Sequence, residues 1–123
     1  MIEMLKGFPD GVVAAIAKGR VTKSDYEDVL IPAIEEAFRR RERVRCYYEL
    51  GREFLGMDPG AVWEDFRVGF GHLAGWEGIA IVTDVDWVRL AINLLRFLVP
   101  GEIRIFPTSE AAEARRWIAA GLS

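Results

Sequence analysis

The chain has 123 residues, 51% of them apolar, with 16 basic against 19 acidic side chains for a net charge of -3. That length allows one domain, able to bury roughly two thirds of the surface its unfolded form exposes. The charge gives no electrostatic reason to bind nucleic acid or an anionic membrane, so neither is an expected partner. The start, MIEMLKGFPDG, has a glutamate at position 3 and lacks the apolar core of about seven residues that a secretory signal needs. No stretch approaches the roughly 18 apolar residues required to span a bilayer. The single cysteine, Cys46, has no partner for an internal disulfide, which fits a reducing cytoplasm as the expected location.

In chain order, Ile2 to Lys6 reads as a short strand and Phe8-Pro9-Asp10-Gly11 as a turn, because proline presets φ and glycine accepts positive φ. Val12 to Ala17 is nearly all apolar and reads as a central strand, paired to the first as a hairpin and ended by Lys18-Gly19-Arg20. Thr22 and Asp25 have capping-box spacing and open a helix in which Tyr26, Leu30, Ala33 and Ala37 share a face. Pro32 falls inside this helix, where a lost backbone hydrogen bond predicts a kink. The run Arg39-Arg40-Arg41-Glu42-Arg43 lies where the helix dipole favours cations, and reads as a solvated helix end rather than a binding patch. Val44 to Leu50 alternates, predicting a strand with one core face and one amphipathic face.

Gly51 to Met57 breaks the alternation and reads as a loop. Asp58-Pro59 then signals a second helix, whose Trp63, Phe66, Phe70 and Leu73 form an aromatic stripe while Gly69 and Gly71 weaken its end. Trp76 and Glu77 lead into Gly78 to Val82, an apolar run too short for a helix and rich in β-branched residues, hence a fully buried strand. Thr83 and Asp86 again have capping-box spacing, so this strand passes directly into a helix over Val85 to Leu98. Along it Asp86, Arg89, Asn93 and Arg96 fall on one narrow stripe and the rest is apolar. Covering one face of a sheet needs an apolar arc of about 100 degrees or somewhat more, so this helix carries a surplus that something else must cover. Val99-Pro100-Gly101 turns the chain, Glu102 to Phe106 forms the last strand, and Thr108 or Ser109 caps a terminal helix with Ala111, Ala114 and Ile118 inward and Trp117 beside them.

This order places a helix between every pair of strands after the first hairpin. Right-handed crossovers then predict an α/β domain over residues 1–123, a mixed and mostly parallel five-stranded sheet with about four helices. The chain contains no internal repeat, low-complexity segment or linker.

The segments Gly19-Arg20-Val21-Thr22, Asp25-Tyr26-Glu27, Leu30-x-Pro32, Trp63-Glu64-Asp65, Trp76, Ile79-Ala80-Ile81-Val82-Thr83-Asp84 and Trp87 resemble the SpoIIAA-like family in order and spacing. The likeness continues through Ile103, Ile105 and Phe106 to Glu113 and Trp117, nearly the whole chain. The resemblance implies a STAS-type fold like that of anti-sigma-factor antagonists and, by analogy with lipid-carrying relatives of the fold, binding of a nonpolar molecule. STAS antagonists are switched by phosphorylation of a serine after the third strand. The matching region here, Gly51 to Gly60, contains neither serine nor threonine, which leaves partner binding without that switch.

Little in the chain suggests chemistry. His72 is the only histidine and has no nucleophile near it in sequence to suggest a dyad, so a structural or surface role is expected. Cys46 lies on the apolar register of its strand and reads as a buried thiol. Asp58, Asp84 and Asp86 at neighbouring strand ends have the type to hold magnesium, but capping explains their spacing, so no metal and no cofactor are expected. The glycines near Gly56 and Gly69 match no phosphate loop or dinucleotide fingerprint.

The expected function is therefore non-enzymatic. Val62, Trp63, Phe66 and Phe70 of the second helix and Trp87, Leu90 and Leu94 of the third are read as lining an apolar site for a small nonpolar, lipid-like molecule, with Phe54 and Met57 at its mouth. Plain core packing, a homodimer contact and a STAS-type contact with a regulatory protein remain the other uses of that surface.

Overall fold

The computed structural model describes residues 1–58, 60, 75–98 and 101–120. Its elements run β1 (Ile2–Met4), β2 (Val12–Val21), α1 (Lys23–Asp25), a π-helical segment (Tyr26–Leu30), α2 (Ile31–Arg40), β3 (Val44–Met57), β4 (Trp76–Thr83), α3 (Asp86–Leu95) with a 3-10 turn (Arg96–Leu98), β5 (Glu102–Phe106), a second 3-10 turn (Thr108–Glu110) and α4 (Ala111–Ala120). The sheet order is β1-β2-β3-β4-β5, with β1 antiparallel to β2 and every other pair parallel. This is the mixed, mostly parallel sheet expected from the element order. Among the described residues three helices of ten residues each accompany it rather than four. The helix expected after Asp58-Pro59, with Val62, Trp63, Phe66, Phe70 and His72, lies outside the described residues.

Two strands run further than their composition suggested. β2 passes through Lys18-Gly19-Arg20 to Val21, and β3 passes through Gly51 to Met57, so Phe54 and Met57 are strand residues and not loop residues. The two extensions stabilise each other: after a register shift at Gly19, whose φ of 60° suits glycine, Gly19 pairs with Phe54, Arg20 with Gly56 and Val21 with Met57. Glycine and charge weaken a strand locally, but a neighbouring strand with free backbone groups outweighs that preference.

The Thr22–Asp25 capping box forms as expected. At Pro32 the helix does more than kink. Proline's ring clashes with the carbonyl four residues back in a regular helix, and here the chain widens instead into a π segment, with the Ile31 amide bonding to the Tyr26 carbonyl. Arg39 and Arg40 are solvated and pair with Glu36 on their own helix.

Alternation along the strands divides the core in two. On one face Val13, Ala15, Ala17, Cys46, Tyr48, Leu50 and Ile81 pack with Tyr26, Leu30 and Ile34 of the first helical stretch and Val88 of α3. On the other, Ala14, Tyr47, Ala80, Val82 and Phe106 pack with Ala114 and Ile118 of α4. The amphipathic face expected of β3 is thus also covered, and Tyr47 is fully buried. Its charged neighbour Arg45 pairs with Glu77 at 2.9 Å and donates to the Ile118 carbonyl at 3.1 Å.

Candidate functional site

α3 is set in place from both ends. Thr83 does not form the expected cap with Asp86; it is the buried last residue of β4, and its hydroxyl accepts the Val85 amide at 3.1 Å. Asp84 turns away from α3 and accepts both the amide (3.0 Å) and the hydroxyl of Thr108, tying the end of β4 to the start of the last helix. Those two bonds hold the Asp84 carboxyl below the usual carboxylate range. Arg89 reaches back to the Thr83 carbonyl at 3.0 Å, and Arg96 donates to the Ile103 carbonyl of β5. Val88 is buried against the sheet, with Val85 and Ile92 beside it.

The rest of the apolar surface points the other way. Trp87 is 49% exposed, Leu90 62%, Leu94 69% and Phe97 87%. Their spacing of three, four and three residues makes one stripe on the side of the helix opposite Val88 and Ile92. The polar residues Asp86, Arg89, Asn93 and Arg96 occupy the flank between the two apolar faces, and Arg89 and Arg96 there bond to sheet backbone. Of the residues expected to form the apolar site, Phe54 and Trp87 are brought together, with ring centroids 6.4 Å apart. Phe54 is itself buried, while Met57 is half-buried against the sheet core and Leu90 and Leu94 are exposed further along the helix. Val62, Trp63, Phe66 and Phe70 lie outside the described residues. Phe97 was missed at the sequence level, although the three-four-three spacing from Trp87 points to it.

A second feature lies on the opposite face of the sheet, beyond the N-terminus of α4. A cleft of about 430 Å³ is lined by Ile16, Glu49, Gly51, Arg52, Glu53, Thr108 and Ser109, and by Ala17. Glu49 is oriented there by the Tyr47 hydroxyl, which donates to it at 2.6 Å. Burial and the neighbouring Glu49 carboxylate push the Tyr47 hydroxyl up to about 12, against the opposing pull of Arg115. Crossover topology brings these residues together from three distant stretches, so no local signal in the sequence marks the cleft.

The aspartates do not meet. Asp58 pairs with Arg20, Asp84 with Thr108, and Asp86 is exposed. Among the described residues no group of three or more His, Cys, Asp or Glu side chains is placed to hold a metal ion, and no helix is long and apolar enough to cross a membrane.

A family model described as SpoIIAA-like matches residues 12–119. The chain belongs to the SpoIIAA-like family. An uncharacterized protein of the DUF3478 family from Shewanella loihica PV-4, whose crystal structure has a SpoIIAA-like fold, superposes with a TM-score of 0.75 at 23% identity, covering 96% of this chain and 92% of that one. That likeness establishes the fold. None of the curated proteins matches the chain. In this SpoIIAA-like chain Thr108 and Ser109 stand in the 3-10 turn that precedes the last helix, and the stretch from Gly51 to Gly60 contains neither serine nor threonine.

Proposed function

We propose that this SpoIIAA-like chain is a non-enzymatic binding module that takes up a small nonpolar, lipid-like molecule against the apolar face of α3. One observation carries the reading: α3 spends Val88 and Ile92 on the sheet and still presents Trp87, Leu90, Leu94 and Phe97 outward. Scattered exposed leucines need no explanation, but four large apolar side chains in one stripe mark a surface with a partner. Phe54 backs the N-terminal end of that stripe through its contact with Trp87, and Met57, Val62, Trp63, Phe66 and Phe70 are kept as the further apolar residues that the sequence pattern groups with the same site. The chemistry of such a site is contact area alone, without a group that selects one polar headgroup.

Native mass spectrometry of the protein as purified tests this. The expected result is a retained organic mass that disappears in Leu94→Glu; a bare chain in every preparation, including after incubation with fatty acid, overturns it. The second reading is a STAS-type interaction module acting without a phospho-switch. It is favoured by the position of the stripe on a convex helix face, a form suited to a protein surface. A bare chain that binds a protein partner through the same four residues would be its signature.

A further inference from the structure

Ligand sites bury most of their ligand, so on the reading proposed above the convex apolar stripe of α3 needs a second surface over it. The stripe itself indicates what else covers it. Trp87, Leu90, Leu94 and Phe97 read aromatic, leucine, leucine, aromatic, and their spacing is symmetric about Ile92. A surface that contacts its own copy across a two-fold axis must be self-complementary, with residue i meeting j and j meeting i. We propose that two copies of this chain associate through antiparallel packing of α3 on α3, with the two-fold axis on the outer side of the helix at the level of Ile92. Trp87 of each copy then lies over Phe97 of the other, and Leu90 over Leu94.

The antiparallel direction agrees with the helix dipoles, which oppose one another in such a pair. Under the same operation the polar flanks of the two helices come to the same side, with Asp86 exposed and with Arg89 and Arg96 still bonded to the Thr83 and Ile103 carbonyls of their own copy. The area is also adequate. Given the exposure of the four side chains, the stripe offers roughly 500 Å² per copy, and about 1,000 Å² in total is the lower bound for a specific interface. Such a contact predicts a modest, concentration-dependent dimer rather than an obligate one.

The dimer does not rest on the ligand, because it is scored by the mass of the protein assembly whether or not an organic mass is retained. Sedimentation equilibrium over micromolar concentrations should give a dimer for the wild type and a monomer for Leu90→Glu/Leu94→Glu. The circular dichroism spectrum of that variant should be unchanged, since both positions are exposed. Direction is read separately. A short thiol cross-linker should couple Asn93→Cys chains to each other, because position 93 lies near the axis, and should not couple Glu113→Cys chains on α4. A wild type that stays monomeric at about 100 micromolar, a double variant that remains dimeric, or Asn93→Cys chains that fail to couple would each overturn the proposal.

Discussion

Tyr47 illustrates how one side chain serves the core and the cleft together. Its ring packs between Phe8 and α4, with centroids 5.0 Å apart in the Phe8 pair, and its hydroxyl holds Glu49 at the cleft. A tyrosine in the unfolded chain ionises near 10, and this one only near 12. Between those values the unfolded chain has lost a proton that the folded chain keeps. The contribution of Tyr47 is therefore complete below pH 10 and is lost as pH rises through 12. Tyr47→Phe should flatten that alkaline fall, read from urea midpoints at about pH 9 and about pH 11; an unchanged slope would assign the fall to other groups. Gly101 is a case of space rather than charge. A Cβ there would press on the Trp76 carbonyl oxygen and lie 2.7 Å from the Glu77 carbonyl, both backbone atoms that cannot turn aside. Gly101→Ala should cost about 1–3 kcal/mol in chemical denaturation.

At the scale of the element, α3 has two apolar faces with different consequences. Val88 is buried, and Val88→Ala should lose about 2 kcal/mol of stability. Leu90 is 62% exposed, and Leu90→Glu should change stability by less than about 0.5 kcal/mol when unfolding is measured at high dilution. Equal losses at the two positions would mean that the outer face is covered within the single chain, and the binding surface would be lost as an idea. The same element shows where periodicity stops being informative. The narrow polar stripe was legible, and a surplus of apolar surface followed from it. Periodicity alone did not indicate that Arg89 and Arg96 would flank the buried face and bond to Thr83 and Ile103 carbonyls, since those acceptors come from the ends of β4 and β5. The capping box at Thr22 was read correctly because both partners lie within one turn. The similar spacing of Thr83 and Asp86 failed because Thr83 stays in the sheet as the buried end of β4, its hydroxyl accepting the Val85 amide, and the helix begins only after Val85.

For the whole molecule, the two faces of the sheet are covered unequally. α4 is the helix packed on the second face among the described residues, and Ile118 is its largest fully buried side chain. Ile118→Ala should cost about 2–5 kcal/mol, against the 5–15 kcal/mol that holds a domain of this size. Thermal unfolding followed by circular dichroism should move down sharply, whereas a small shift would mean that α4 docks independently of the sheet.

The sequence by itself determined the order of the strands, the one antiparallel strand pair, the inward residues of α4 and the presence of unspent apolar surface on α3, because each depends on neighbours within one or two turns or on alternation along a strand. Tertiary structure alone decided how far β2 and β3 run, which carbonyls the arginines of α3 reach, and which residues ring the cleft beside Thr108. Those outcomes turn on backbone and side-chain groups that meet only after the crossovers place distant segments side by side, where a hydrogen bond to a remote partner outweighs local preference.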